Sequence, residues 1–430
     1  MSYDTLSPVD GRYSKEAEPL GDYFSERALV EKRVEVELRY LRLLVALKIA
    51  PGVMVPRIEP SMRAVKKLED ELGHDVKAVE VYIRRLLNRK GAAPLAPYVH
   101  IGLTSEDTNS LANSILLRDA LRDVILPEYS RLVVLLADLA RREARTVMLA
   151  RTHGRPAVPT TFGKEVAVFA VRLAERVSLL KSTKPVAKLS GAVGTFASFM
   201  LLKNLDWPDV FRDFVEALGL GYARYTTQVA PGEGLSDILH LVININQLMN
   251  SLARDLWLYQ TLDYVRFSRA GKVSSSTMPQ KVNPVDLENA EGQTEISNSM
   301  LTLLAYRLQT TRLQRDLSDS VLRRMVGQAL AHSLIACRRL VASVHSMAVE
   351  RSVMADDLSA HPEVLAEAAQ VSLRLKGDER GYERVRSALS RGDVASVSGY
   401  LQHADEYVGL APRLALDCPR VVLRLLGSRS

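Results

Sequence analysis

The chain has 430 residues, 47% apolar and 25% charged, a balance that suits a large packed core in two or three domains and excludes a disordered or fibrous protein. Its longest apolar runs, such as Leu132 to Ala137, fall far short of the roughly 20 residues needed to cross a bilayer. The start Met1-Ser-Tyr-Asp-Thr lacks the basic and apolar regions of a secretory leader, so no membrane partner and a cytoplasmic location are expected. The formal charge of +7 is interleaved with acids, as from Arg131 to Arg145, and only 6% of residues are aromatic. These features predict a solvated surface that attracts an anionic small molecule, with no nucleic-acid partner.

The N-terminal segment Ser7-Pro-Val-Asp-Gly-Arg-Tyr-Ser14 is turn-rich, and a helix is predicted from near Ser25, with Leu29, Val34, Leu38, Leu41 and Val45 at helical spacing. Pro51 and Pro56 interrupt the chain before a second helix from Pro60 to Leu72. His74-Asp75 reads as a helix cap or surface pair, and an Asp beside a His also suits fixing an imidazole tautomer. Pro94 and Pro97 mark a predicted domain boundary. Beyond them Thr104-Ser105 is placed to cap a helix running through Asn109 to Leu121, a helix start that also suits meeting an anion. A helix is predicted from Pro127 to Leu149, ending in the tight turn Arg151-Thr-His-Gly-Arg-Pro156. His153, among polar neighbours at this exit, is the best candidate for a titrating group.

A further helix is predicted over Phe162 to Lys181. The Gly191-Ala-Val-Gly194 turn lacks the strand and spacing of a phosphate fingerprint, and Gln228 falls in a loop. From Leu235 to Ser268 the pattern reads as one helix of 34 residues, about 51 Å long at 1.5 Å per residue. Its seam of Leu235, Leu239, Val242, Ile245, Met249, Leu252 and Leu256 is widened by further apolar positions, which places it inside a bundle. Helices are predicted again over Val285 to Gln314 and Val321 to Glu350, with Arg315, Arg323 and Arg324 around the turn between them as surface ion pairs or an anion clamp. Shorter helices come after about Met354. No strand pair is predicted, and Cys337 and Cys418 make neither a disulfide framework nor a zinc spacing.

Between the long helices, Arg269 to Pro284 loses every apolar period and reads as a loop, with Asn283 as N-cap and Pro284 as first residue of the next helix. Ser275-Ser276-Thr277-Met278-Pro279-Gln280-Lys281-Val282-Asn283 resembles the signature of the fumarase/aspartase superfamily: a Ser pair, one residue, Met-Pro, one residue, Lys, one residue, Asn. Ser274 stands where that signature usually has Gly. With Arg12-Tyr13, His74-Asp75-Val76 and Gln314-Arg-Asp-Leu-Ser-Asp-Ser320, the chain is similar to the adenylosuccinate lyase family, the purine-pathway branch of the superfamily. Argininosuccinate lyases share the Ser loop and are the alternative.

The resemblance implies an all-α, three-domain fumarase/aspartase-like fold. It would comprise an N-terminal helical domain (1–96), a central long-helix bundle carrying the Ser loop (97–350) and a small C-terminal helical domain (351–430), assembled into a homotetramer whose active sites are shared between subunits. It implies elimination of fumarate from adenylosuccinate, giving AMP, and from succinylaminoimidazole carboxamide ribotide. Such chemistry needs a base for a weakly acidic C–H proton beside a carboxylate and an acid for the departing nitrogen. The matched positions put Ser275 in the base role and His153 in the acid role. Lys281 and Asn283 would hold the succinyl carboxylates, helped by Thr104, Ser105, Ser276 and Gln228. Arg12, Tyr13, His74, Asp75, Asn289, Arg315, Ser320 and Arg324 would hold the nucleotide or support the acid, with Arg323 the neighbouring alternative to Arg324. Val76 and Val282 fall within the matched substrate-binding segments. No metal or cofactor is expected, because the elimination requires no Lewis acid and the histidines lack ligand spacing.

Overall fold

The structure, a computed structural model, describes residues 4–268, 277–278, 280–395 and 404–427. In chain order the described α-helices are α1 (Ser14–Phe24), α2 (Glu26–Ala46), α3 (Met62–Leu72), α4 (Asp75–Arg89), α5 (Ser105–Ala120), α6 (Leu126–Arg142), α7 (Phe162–Ser182), α8 (Ala197–Met200) and α9 (Trp207–Ala217). They continue as α10 (Glu233–Thr261), α11 (Val285–Arg307), α12 (Ser318–Arg323), α13 (Val326–Ser346), α14 (Arg351–Ser359), α15 (Ala366–Leu375), α16 (Gly381–Ser390) and α17 (Ala411–Leu426). Among the described residues no helix is long and apolar enough to cross a membrane.

Contacts divide the chain into two compact units: Met1–Pro127, Leu180–Asn244 and Glu295–Ile335 form the first, and Glu128–Leu179, Ile245–Thr294 and Ala336–Ser430 the second. In the first unit, local chemistry starts the helices where side chains can satisfy the free N–H groups of the opening turn. Ser25 Oγ accepts from Ala28 N at 3.2 Å, and Ser61 Oγ accepts from Ala64 N at 3.4 Å. The core of this unit gathers α2, α4 and α5 around an aromatic knot in which the Phe199 ring lies 4.7 Å from Phe211 and 5.5 Å from Trp207.

Between α5 and α6 the helix does not break but widens into a π-turn, Leu121–Ile125. Pro127 explains the widening: it lacks an N–H and its ring would press on the carbonyl four residues back, so a looser turn accommodates it.

The apolar seam assigned to the long central helix is buried from Leu239 to Leu256, whereas Leu235 is half-buried. The helix itself is shorter than predicted: α10 has 29 residues, about 44 Å at 1.5 Å per residue. Asp263 adopts φ +56° just beyond its end, and the chain then enters a strand.

Strands are the main departure from the helical expectation. β1 (Val147–Thr152) and β2 (Arg155–Thr161) form an antiparallel hairpin, β3 (Val186–Lys188) and β4 (Gly221–Ala223) a parallel pair, and β5 (Val265–Phe267) and β6 (Met347–Val349) an antiparallel pair. Four of the six are too short for a two-residue alternation to register, and in β2 Pro156 and Pro159 mask the pattern. The helix predicted to Leu149 therefore ends at Arg142, the one predicted to Gln314 ends at Arg307, and the run from Val321 to Glu350 resolves into α12, α13 and β6. The turn-rich segment before Ser25 holds an additional helix, α1, and Pro94 and Pro97 lie in a 3-10 turn, Ala93–Tyr98. Cys337 and Cys418 are buried free thiols.

Candidate active site

In the first unit the start of α5 organises one group of candidate residues. Thr104 is its N-cap within a capping box: the Thr104 N–H donates to Asp107 Oδ2 at 2.9 Å. Asp107 also accepts from Ser190 N at 2.9 Å and Gly191 N at 3.1 Å, and it pairs with Lys188 Nζ at 3.0 Å. Both side chains of this ion pair are fully buried. Lys188 Nζ donates further to Gly191 O at 2.8 Å and Gln228 O at 2.9 Å, so all three of its protons are used.

The Gln228 side chain then meets Arg315, whose Nη1 donates to Gln228 Oε1 at 3.2 Å while its Nη2 lies 3.3 Å from buried Glu106 Oε2. Thr104, Gln228 and Arg315, distant in sequence, are thus linked through Asp107, Lys188 and Glu106. Burial lowers the Lys188 pKa against the opposing pull of Asp107, and burial raises that of Glu106 against its two arginines. Gly194 makes the turn beside this cluster possible: at φ +79°, a Cβ there would fall 2.0 Å from Thr226 O.

A second group in the same unit surrounds Asp75. His74 is the N-cap of α4, its Nδ1 accepting from Lys77 N at 3.3 Å, so the helix-cap reading of this pair holds. Asp75 accepts from Arg33 Nη2 at 2.7 Å, Arg33 Nε donates to Asn109 at 2.9 Å, and Arg324 stands 4.0 Å from Asp75. Burial would raise the Asp75 pKa, but the Arg33 charge and hydrogen bond outweigh it and hold the carboxyl below its usual range. Val76 is buried, and its N–H donates to Asp75 Oδ1 at 2.8 Å. Tyr13 is the half-buried N-cap residue of α1 and Arg12 is exposed. A cavity of about 650 Å³ nearby is bordered by Asp10, Ser14, Lys15 and Arg324, but not by Arg12 or Tyr13. Ser320 lies half-buried on α12, and Arg323 bonds Asp319 at 3.4 Å.

In the second unit His153 occupies the tip of the β1–β2 hairpin rather than a helix exit. Thr152 pairs with Arg155, and the two residues between them have φ +54° (His153) and φ +73° (Gly154), as a type I′ turn requires. The imidazole is exposed. Ser275 and Ser276 lie outside the described residues. Lys281 and Val282 are exposed and Asn283 and Asn289 half-buried. The helix beyond them begins at Val285, with Pro284 O accepting from Leu287 N at 2.9 Å, so the cap falls one residue later than predicted.

Sequence reasoning passed over Lys188, Glu106, Asp107 and Arg33. Asp107 had a signal, since Thr104 followed three residues later by an acid is a capping box. Lys188, inside Pro185-Val-Ala-Lys-Leu, had none: its role depends on partners up to 81 residues away.

Residues 11–295 match the family model described as lyase, and residues 311–403 match the model described as adenylosuccinate lyase C-terminal. The chain is 35% identical over 421 residues to the adenylosuccinate lyase of Escherichia coli (strain K12), covering 94% of this chain and 92% of the relative. It is 35% identical over 410 residues to that of Legionella pneumophila (strain Corby), covering 91% and 89%. Among solved structures, it superposes on the 3-carboxy-cis,cis-muconate lactonizing enzyme from Pseudomonas putida with TM-score 0.77 at 21% identity, covering 95% of this chain and 97% of the other. A fumarate lyase from Mesorhizobium sp. BNC1 gives TM-score 0.76 at 20% identity, covering 96% and 98%. With both family models matched and this extent of similarity to the curated relatives, the chain belongs to the adenylosuccinate lyase family.

Proposed function

We propose that this protein is a cytoplasmic enzyme of purine biosynthesis that eliminates fumarate from adenylosuccinate, leaving AMP, and from succinylaminoimidazole carboxamide ribotide. The observation that carries the proposal is the match of residues 311–403 to the adenylosuccinate lyase C-terminal model, which selects this substrate class within a superfamily of related eliminations.

Ser275, as alkoxide, removes the proton from the carbon next to a succinyl carboxylate, and the electron pair collects on that carboxylate. The C–N bond then breaks, the double bond of fumarate forms, and His153 delivers a proton to the departing nitrogen. A Ser hydroxyl is a poor base in water and needs N–H groups and positive charge in a dry site to hold its anion. Lys281 supplies such charge, and with Asn283, Thr104, Ser105, Ser276 and Gln228 it holds the succinyl carboxylates. Arg315, tied to Gln228, and the group of Asp75 and Arg324 serve the nucleotide, with Arg12, Tyr13, His74, Asn289 and Ser320. Removing one such donor typically costs about 3 kcal/mol, or 100-fold in rate.

The protein acts as a homotetramer, with each active site drawing loops from more than one copy. The exposure of Trp257 and Leu258 on α10, and of Ile296, Leu303 and Tyr306 on α11, supports this: apolar side chains in such number on long helices call for a covering partner. The three segments 1–96, 97–350 and 351–430 divide the labour, with nucleotide loops in the first and the Ser loop in the second. The test is fumarate release, followed at its ultraviolet absorbance, from adenylosuccinate and from argininosuccinate in parallel. Release from adenylosuccinate is expected; release from argininosuccinate alone would assign the chain to the other branch.

A further inference from the structure

A two-stranded hairpin has little stability of its own, so the position of His153 at its tip depends on what grips the strands beneath. In the second unit the grip converges on one carboxylate. Arg151, on β1 two residues before His153, places Nη2 2.7 Å from Asp357 Oδ2 on α14. The register of β1 against β2 shifts between Leu149 and Arg151, the kind of irregularity that re-aims a side chain out of a ladder. The same Asp357 Oδ2 accepts the hydroxyl of Tyr264.

Tyr264 is buried and stands one residue before β5, and its carbonyl accepts from Glu350 N at 2.9 Å, next to the start of α14. A second connection runs through aromatic rings: Tyr264 stacks on Tyr259 at 6.1 Å, and Tyr259 meets Phe162 edge-on at 5.8 Å. Phe162 directly follows β2. Both strands of the hairpin are therefore fastened to Tyr264, one through Asp357 and one through the contacts of Tyr259 and Phe162. Burial would raise the Asp357 pKa, but hydrogen bonds from Tyr264 and Arg151 outweigh it and keep the carboxyl ionised. His361 completes the surroundings, with Nε2 3.7 Å from Asp357 Oδ1 and Nδ1 2.8 Å from Glu363.

We propose that Asp357 is a positioning residue for the elimination: by holding Arg151 and Tyr264 on one oxygen, it fixes the His153 hairpin against β5. The proposal rests on the assignment of His153 as the acid. Asp357 bonds Arg151 and Tyr264 rather than His153; it acts through the backbone of β1. Its loss lets the imidazole wander from the departing nitrogen, and a displacement of about 1 Å there can cost 100-fold in rate.

The test uses the intact enzyme and the variants Asp357→Ala, Asp357→Asn and Tyr264→Phe, read by hydrogen–deuterium exchange and by steady-state fumarate release from adenylosuccinate. In Asp357→Ala, exchange should rise together in peptides covering 147–161 and 262–268, with the rest of the second unit unchanged. Its kcat should fall about 10- to 100-fold while KM stays within about threefold, since the acid acts in the transition state. Asp357→Asn, whose amide oxygen can still accept both donors, should recover most of kcat. The double variant Asp357→Ala/Tyr264→Phe should be no slower than Asp357→Ala alone, because both changes remove the same bond.

Unchanged exchange in 147–161, an undiminished kcat, or exchange rising throughout the second unit would each overturn the positioning role. Should Asp357→Ala precipitate, Tyr264→Phe, which loses a single hydroxyl, decides by the same two readouts. If the unmodified enzyme releases no fumarate from adenylosuccinate, the proposed function fails, and the exchange comparison still decides whether Asp357 holds the hairpin.

Discussion

Lys188→Met tests how far the first unit depends on its buried ion pair. The substitution keeps the length of the side chain but removes the ammonium that lies 3.0 Å from Asp107 and donates to Gly191 O and Gln228 O. Breaking a buried pair from one side typically costs about 3–5 kcal/mol, because the remaining charge stays in low dielectric. Asp107 retains donors from Thr104, Ser190 and Gly191, which offsets part of that cost. The two carbonyls left behind add about 1 kcal/mol or more between them. A net loss of about 3 kcal/mol is expected, measured as the shift in the urea midpoint at fixed protein concentration, since assembly also shifts apparent stability. The partner change Asp107→Asn and the double variant complete a cycle, with a coupling of about 1.5 kcal/mol or more expected between the two sites. A Lys188→Met enzyme within about 0.5 kcal/mol of the unmodified one, a change typical of surface sites, would refute the reasoning, as would additive effects in the cycle.

Ser275→Ala and His153→Ala should each lower kcat by about 100-fold or more while leaving circular dichroism and oligomeric state unchanged; kinetics like those of the unmodified enzyme in either would mean the role is misassigned. Gly163→Ala should destabilise by about 2–3 kcal/mol, because a Cβ would fall 2.4 Å from Ala140 O and 2.6 Å from the Glu143 backbone; a thermal midpoint within a degree of the unmodified protein's would contradict this. His100, at φ +63°, pairs with buried Glu37 at 2.6 Å. Burial alone would lower the His100 pKa, but the Glu37 bond and charge outweigh it and the net shift is upward. With the folded value above the unfolded one, the pair's contribution is complete below about pH 6.5 and declines as pH rises through the folded pKa. Denaturation midpoints across that window should fall with pH in the unmodified enzyme and change less in Glu37→Gln; equal slopes would exclude the linkage.

Much of the helical frame was legible because each signal was local. The Thr104 cap, the His74 cap and the α10 seam all derive from neighbours within a turn or two, and each appears in the fold. Where the reading erred, local pattern was silent or misleading. Leucines and arginines carry a helical rhythm up to Leu149, yet the chain leaves the helix at Arg142 and enters β1, where Met148 and Leu149 pair with β2 and Leu149 packs with Leu358 and Val364. Polar neighbours mark His153 in the sequence, but its left-handed conformation at a hairpin tip depends on the strands that flank it.

The sequence by itself determined the family, the predominance of helix and the identity of the residues proposed for the chemistry, since all three reside in the order of side chains along the chain. Tertiary structure alone decided which groups those residues lean on: Lys188 under Gln228, Glu106 beside Arg315, and Asp357 joining Arg151 to Tyr264. The reason is physical. A buried charge must find its counter-charge or hydrogen-bond partners wherever folding brings them, and nothing in the spacing of residues 151, 264 and 357 foretells that they meet on one oxygen.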